Sequence, residues 1–217
     1  MTMSLKKYIV EFIGTFFLVL TICMTSYSKV SADLQPLAVG SMLMVLIYSM
    51  GYLSGAQFNP AISLALYLRS RINLKEMGFY WIAQILGAVA AAMITAVLIS
   101  AKPPVGLIAS TPQFFSMVPA LIAEVLGSFA LTWVILTVAT SKALDGNNFY
   151  GLAIGFTVTA LMYTLGSVSG SAFNPVVAIA TCIAHLSTWN NLWIYMVGGL
   201  GGAALATMAF KYISGDE

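Results

Sequence analysis

Two asparagine–proline pairs are the residues of this sequence with an evident chemical use. Asn59-Pro60 and Asn174-Pro175 each open a short apolar stretch. Asn is among the best helix N-cap residues because its side-chain oxygen accepts an orphan backbone N–H, and Pro at the first helical position lacks an N–H that would go unpaired. Each amide then still has N–H donors to present elsewhere. The two pairs predict two helix starts that offer donors and a positive dipole end.

Two such starts that face each other could orient a small polar molecule. A water between them can accept hydrogen bonds from both amides, so its own hydrogens must point away along the path. A chain of proton transfers is then interrupted, and cations meet a positive potential. One Asn-Pro pair is often only a helix start, but two pairs at matched positions are a much stronger signal.

The rest of the sequence offers no catalytic constellation. His185 is the single histidine, and the two cysteines, Cys23 and Cys182, lie in apolar runs. No nucleophile, base and orienting group occur together, and neither a phosphate-binding loop nor a metal-ligand spacing is present. We therefore expect a protein that is not an enzyme and that takes no metal and no cofactor.

The composition indicates that lipid is the solvent for most of the surface. Of 217 residues, 60% are hydrophobic and only 7% are charged, and the mean hydropathy is +0.94. A soluble domain carries roughly 25% charged residues. The lipid bilayer is therefore an expected partner of an all-α membrane protein, and a net charge of +2 is too small to indicate a nucleic-acid partner.

Eight apolar stretches can be assigned by length. A spanning helix needs about 20 apolar residues, and six stretches qualify. They are about 8–28, 36–54, 78–100, 117–140, 149–167 and 190–213. The stretches about 59–68 and 174–184 are too short to cross, so we predict two re-entrant half-helices.

The basic residues predict the orientation. With six spans and the amino terminus inside, seven basic residues face the cytoplasm and only Lys29 and Lys102 face out. Such a bias is typical of cytoplasmic loops. We expect both termini to be cytoplasmic and the protein to lie in a cell membrane, plasma or inner. The seven are Lys6, Lys7, Arg69, Arg71, Lys75, Lys142 and Lys211.

The chain repeats itself at a shift of 115 residues. Within the single domain 1–217, the first repeat is about 1–100, the linker about 101–116 and the second repeat about 117–217. The residues that recur include Gly40, Tyr48, Gly51, Ser54, Gly55, Phe58, Asn59 and Pro60, which return as Gly155, Tyr163, Gly166, Ser169, Gly170, Phe173, Asn174 and Pro175.

Each repeat holds three spans and one half-helix. Because three is odd, the second repeat enters the membrane from the opposite side, which makes an inverted-topology repeat with its site near the midplane. This arrangement would bring Asn59 and Asn174 together at the centre of the bilayer.

Three segments resemble the aquaporin, or major intrinsic protein, family. The segment 54–61 (SGAQFNPA) looks like the first signature of that family, 11–16 (EFIGTF) resembles the opening of its first span, and Ala83-Gln84 with Gly87 resembles its third span. The resemblance covers nearly the whole chain. It implies a right-handed bundle of six transmembrane helices plus two re-entrant half-helices, a homotetramer, and a pore in each protomer. Its Asn-Pro motifs would be Asn59, Pro60 and Ala61, and Asn174, Pro175 and Val176.

The sequence departs from the family pattern at the second motif. Val176 stands where the family usually has alanine, and Val177 stands where it usually has an arginine. In the family this arginine forms an outer filter with three other positions, which fall on Val39, Met162 and Ser171 by spacing. This set matches neither the water-selective nor the glycerol-conducting class.

The resemblance also implies a role for two ionisable residues, Glu11 and Glu124. An intramembrane carboxylate is a functional candidate by default. The resemblance implies instead that Glu11 and Glu124 are structural carboxylates that accept hydrogen bonds from irregular loop backbones. A proton relay is the alternative.

These observations predict a passive channel. We expect it to conduct water, with other small neutral solutes as further candidates, and to exclude ions and protons at the paired Asn-Pro half-helices. One alternative is selectivity for ammonia, hydrogen peroxide, urea or glycerol, since the filter lacks the arginine charge and its donors. The other is a non-conducting membrane scaffold.

Overall fold

The structure is a computed structural model that describes residues 3–28, 33–101 and 116–215. It is all-helical, and six of its helices are long and apolar enough to cross a membrane, which confirms the predicted fold class. Most of the expected linker 101–116, and also Lys29 and Lys102, lie outside the described residues. The helices are α1 (Met3–Ser26), α2 (Gln35–Ser54), α3 (Pro60–Leu68), α4 (Leu74–Ala101), α5 (Met117–Thr140), α6 (Tyr150–Ser169), α7 (Pro175–Ile183) and α8 (Leu192–Ser214).

Two spanning helices begin earlier than hydropathy indicates. α1 begins at Met3 rather than at residue 8, and α4 begins at Leu74 rather than at residue 78. Hydropathy detects only the apolar part of a helix, whereas charged residues can continue the same helix beyond the hydrocarbon. Here Lys7 and Glu76 form an ion pair of 2.8 Å between the two extensions. The pair therefore joins α1 and α4 near their amino-terminal ends.

The two short helices have the same construction. α3 and α7 each have nine residues, an asparagine N-cap and a proline in the first turn. Each is followed closely by a residue in the left-handed region, Ser70 with φ 60° and His185 with φ 57°. A helix of nine residues is about 14 Å long, so neither can cross a hydrocarbon layer of about 30 Å.

The short helices pack against spanning helices from the opposite end of the sequence. α3 contacts α8, and α7 contacts α4, while α1 pairs with α4 and α5 pairs with α8. The hydroxyl of Tyr27 donates to the carbonyl of Ala184, which ties the end of α1 to the end of α7. The first and last parts of the chain therefore interlock around the two short helices.

The crossing of α2 and α6 depends on two glycines. A Cβ atom built on Gly40 would overlap the carbonyl of Gly155 and the hydroxyl of Thr159, and one built on Gly155 would overlap the Gly40 carbonyl. The Thr159 hydroxyl also donates to the Pro36 carbonyl at 3.1 Å. Small residues allow such close backbone approach, which is how helices associate in lipid.

We predict that Gly40→Ala lowers the stability of the protein by about 1–3 kcal/mol, because the added methyl group overpacks this crossing. The melting temperature is measured in detergent, with size-exclusion chromatography as the readout of the protein that remains folded after heating. Gly201→Ala in α8 is the matched control, since no heavy atom lies within 4 Å of its added Cβ. Equal melting temperatures for the two variants would contradict the prediction.

Candidate functional site

A cavity of about 1690 Å³ extends through the molecule between two groups of polar residues. We call one end the basic mouth, since three cations line it against two carboxylates. The residues are Lys7, Arg71 and Lys142 with Glu76 and Asp145, and Lys7 is paired with Glu76. The opposite mouth is lined by Ser26, Asp33 and Tyr163. The lining includes Asn59 and Asn174, so the N-cap residues of both short helices lie along the same cavity.

The Asn59 side chain uses both ends of its amide. Its oxygen accepts a hydrogen bond from the backbone N–H of Ala61 at 2.9 Å, as the N-cap prediction requires. Its nitrogen donates to the backbone carbonyl of Phe173 at 2.9 Å. Phe173 immediately precedes the other asparagine, so the first helix start is bonded directly to the approach of the second.

The Asn174 side chain repeats this arrangement in the other direction. Its oxygen accepts from the backbone N–H of Val176 at 3.1 Å, and its nitrogen donates to the carbonyl of Phe58 at 2.9 Å. A primary amide carries two N–H hydrogens, so each asparagine has a second one beyond this reciprocal bond. The structure thus brings Asn59 and Asn174 together.

The segments that lead to the asparagines are not helical. Each begins with a left-handed glycine, Gly55 or Gly170, with φ 86° and 85°. Four further residues also have positive φ, which costs roughly 1–2 kcal/mol per non-glycine residue. Other contacts must therefore hold these segments in place. The four are Ala56, Phe58, Ser171 and Phe173.

Glu11 holds the first approach segment. Its carboxylate accepts hydrogen bonds from the Ser54 hydroxyl at 2.6 Å and from the backbone N–H groups of Gln57 at 3.0 Å and Phe58 at 2.7 Å. The Gln84 amide donates to the same carboxylate at 2.9 Å. The side chain is fully buried, so these bonds replace those that water would make.

Glu124 holds the second approach segment through matching contacts. Its carboxylate accepts from the Ser169 hydroxyl at 2.6 Å and from the backbone N–H groups of Ala172 at 3.0 Å and Phe173 at 2.7 Å. A scaffolding carboxylate needs such bonds, and the scaffolding role of both glutamates remains a prediction.

Two phenylalanines fix the approach segments from the other side. Phe58 and Phe173 are 0% and 2% exposed, and their rings lie against Gly14 and Gly127. A Cβ atom on either glycine would overlap the ring. The glycines of the matched motifs Glu-x-x-Gly therefore make room for the aromatic rings, while the glutamates bind the backbone of the same segments.

The four positions assigned to the outer filter all line the cavity. Val39 packs in a hydrophobic cluster that Met162 borders, and Val177 belongs to a second cluster. The hydroxyl of Ser171 is buried and has no hydrogen-bond partner among the residues that the structure describes. The set therefore presents three apolar side chains and one unpaired hydroxyl.

A buried arginine lies elsewhere in the structure. Arg69 is 8% exposed and caps the end of α3. Its guanidinium carbon is 5.1 Å from the centre of the Phe210 ring, in the range of a cation–π contact. Arg69 is not among the described residues that line the cavity.

Sequence reasoning gave no role to several polar residues that surround the approach segments. The hydroxyls of Tyr80 and Tyr195 donate to the carbonyls of Ser54 and Ser169 at 2.8 Å and 2.7 Å. The Gln84 amide binds Glu11. At a shift of 115 residues, Tyr80 meets Tyr195, which is a usable signal for a shared structural role.

Comparison with known proteins gives a consistent picture. A family model described as "Major intrinsic protein" matches residues 1–210. A probable NIP-type aquaporin of Nicotiana alata is 31% identical, with 98% of this chain and 79% of the relative covered. Aquaporin Z of Brucella melitensis is also 31% identical, with 98% and 100% covered.

A solved structure has the same fold. The aquaglyceroporin from Plasmodium falciparum superposes with a TM-score of 0.82 at 24% identity, and the match covers 97% of this chain and 96% of that one. At this identity, the likeness is one of architecture.

We predict that Glu124→Gln loosens the approach segment of α7. Glutamine has one acceptor oxygen in place of two, and a hydrogen bond to a charged group is worth about 1.5–3 kcal/mol. Backbone N–H exchange at Ala172 and Phe173 should therefore speed up by roughly ten- to a hundredfold.

Hydrogen–deuterium exchange with mass spectrometry measures this effect on peptides that cover 169–174. Glu76→Gln is the control, since it removes a carboxylate from a partly exposed ion pair. Unchanged exchange of 169–174 in folded Glu124→Gln would show that Glu124 does not hold the segment.

Proposed function

This chain belongs to the major intrinsic protein family, and on that premise we propose that it is a passive channel for water and other small neutral solutes. It is an integral membrane protein of the aquaporin type with six spans, and it is not an enzyme. The reciprocal bonds of Asn59 and Asn174 across the cavity carry the proposal.

The proposed mechanism uses the second side-chain N–H hydrogen of each asparagine, which does not take part in these bonds. A water at the centre of the cavity accepts hydrogen bonds from both asparagines, so it cannot pass a proton onward in a continuous chain. α3 and α7 also point their positive ends toward this position, and that potential opposes cations. Water passes because it exchanges one set of hydrogen bonds for another.

We further propose that the outer filter is Val39, Met162, Ser171 and Val177 and that it lacks the family arginine. Val177 is the third residue after Asn174, and the buried Arg69 contacts Phe210. Without a fixed charge, exclusion of cations and protons would depend mainly on the two half-helices. A small neutral solute would meet apolar side chains rather than a guanidinium at this constriction.

This filter also favours a second candidate function, namely preference for a neutral solute other than water. Water that enters an apolar constriction gives up hydrogen bonds with little replacement. Ammonia, hydrogen peroxide, urea and glycerol are the candidates. The supporting observation is that three of the four filter side chains are apolar.

The remaining assignments concern orientation and assembly. We propose that the basic mouth faces the cytoplasm of a cell membrane, plasma or inner, that both termini are cytoplasmic, and that four copies form a homotetramer. The cations at the basic mouth support the orientation, and family membership supports the tetramer. The matched glutamate and asparagine contacts support an inverted repeat with parts 1–100 and 117–217.

We predict that proteoliposomes with the folded protein shrink faster than empty liposomes after an osmotic step. Stopped-flow light scattering measures the rate, and proton flux across the same vesicles should stay at the empty-liposome value. Water and solute permeabilities that all equal those of empty liposomes would favour the non-conducting scaffold.

We predict that Val177→Arg narrows the range of solutes that pass through the channel. A guanidinium at this position adds volume, charge and five donors to the constriction, so glycerol and urea permeability should fall at least about tenfold relative to water. Val177→Met is the matched control, because it adds volume to the constriction without charge. Unchanged permeability ratios in Val177→Arg would overturn the assignment of Val177 to the filter.

A further inference from the structure

Met162 differs in its chemistry from the other side chains of the cavity wall. It is the only sulfur-containing residue among the described residues that line the cavity. Cys23 and Cys182 are buried and are not part of that lining. A thioether is polarisable and can be oxidised, whereas the side chains of valine, leucine and isoleucine have no such reactive atom. Met162 is therefore a candidate for chemistry that its aliphatic neighbours cannot perform.

The spacing along α6 places Met162 on the face of the helix that lines the cavity. Residues four apart lie on one face of a helix, and α6 contributes a row of such residues to the lining. α2 contributes a matching row at a shift of 115 residues. Met162 is only partly buried, so part of its side chain is accessible on this face. The rows are Ile154, Val158, Met162 and Gly166 in α6, and Val39, Leu43, Ile47 and Gly51 in α2.

The first half of the chain shows that this position does not require sulfur. Ile47 is the residue of α2 that matches Met162, and it is buried in the hydrophobic cluster that Met162 borders. An aliphatic side chain therefore serves the position in one half and an oxidisable one serves it in the other. Met162→Leu is accordingly a variant that conserves volume and removes only the thioether.

Two other methionines provide an internal reference for the accessibility of Met162. Met42 and Met50 are partly buried against the same hydrophobic cluster, but neither is among the residues that line the cavity. A difference in oxidation rate between Met162 and these two residues therefore reports access from the cavity.

We propose that Met162 is a modification site at which a peroxide that enters the cavity forms methionine sulfoxide. The sulfur attacks one oxygen of hydrogen peroxide, so that an S–O bond forms while the O–O bond breaks. The departing oxygen keeps the electron pair of that bond and takes up the proton of the transferred oxygen, which gives water. The sulfur is oxidised by two electrons and the peroxide is reduced, so the step needs no further reactant.

The product changes the polarity of the proposed filter. A sulfoxide is polar, whereas the thioether is apolar, and Val39 and Val177 offer no hydrogen-bonding group in their side chains. Water that enters an apolar constriction gives up hydrogen bonds with little replacement. The sulfoxide oxygen supplies an acceptor there, so oxidation of Met162 should raise the water permeability.

The effect on conduction rests on the proposed channel function, whereas the modification itself requires only an accessible cavity. The protein in proteoliposomes is treated with dilute hydrogen peroxide, and peptide mass spectrometry measures the sulfoxide at each methionine. We expect Met162 to be oxidised at least about tenfold faster than Met42 and Met50, because susceptibility follows exposure to the oxidant. Equal rates at the three residues would overturn the inference.

A lipid-soluble peroxide tests the route by which the oxidant reaches the sulfur. Cumene hydroperoxide partitions into the bilayer, and Met93 and Met208 are 61% and 64% exposed. We expect this peroxide to oxidise these two residues ahead of Met162. Oxidation of Met162 at the same rate or faster would mean that the sulfur is reached from lipid, which would also overturn the inference.

Stopped-flow water permeability before and after treatment with hydrogen peroxide tests the effect on conduction. We expect a rise of about two- to tenfold in the wild-type protein, the worth of one hydrogen bond, and no response in Met162→Leu. Met50→Leu is the matched control and should respond as the wild type does. An unchanged or lower permeability of vesicles whose Met162 is oxidised would overturn the effect on conduction. Vesicles that conduct no water before or after treatment would overturn the channel function, and the oxidation rates would still decide the modification site.

Discussion

Backbone N–H and C=O groups at the depth of a bilayer cannot rely on bulk water, and the whole structure follows from this constraint. Helices satisfy it within themselves, but the two approach segments, 55–58 and 170–173, leave helical pairing where they line the cavity, and irregular backbone is tolerated among membrane spans only in such places. The buried carboxylates of Glu11 and Glu124 accept hydrogen bonds from N–H groups of these segments that have no helical partner. The asparagines then use the remaining carbonyls of Phe58 and Phe173. These bonds help to give every backbone N–H of the two approach segments a partner within the protein, which permits a polar route through it.

The same bonds explain why the two short helices begin next to each other. An asparagine that caps its own helix and also donates to the opposite approach segment can only sit where both helix starts meet. The glycines opposite the phenylalanine rings allow each segment to come close to its spanning helix. Neither half of the chain could form this site alone, since each asparagine donates to a carbonyl from the other half.

Much of this could be predicted from the sequence because its determinants are local. Spans follow from apolar length, the caps follow from Asn-Pro, and the proximity of residues 59 and 174 follows from an odd number of spans per repeat. The reciprocal bonds to Phe58 and Phe173 could not be predicted, because they depend on positive φ angles at residues such as Ala56 and Ser171 that rarely adopt them. The early starts of α1 and α4 were missed because charged turns have no hydropathy signal. The two halves also differ at matched positions, with Gln57 against Ala172 and Gln84 against Gly199. The internal repeat predicts nothing about the contacts of such residues.

The most direct test of the central claim is an experimental density map of the protein in lipid, at a resolution that shows ordered water. We predict that the side-chain nitrogens of Asn59 and Asn174 lie within about 3 Å of one water in the cavity, while each also contacts the carbonyl that precedes the other asparagine. Side-chain amides that are separated by packed protein, or turned away from any continuous route, would contradict the claim.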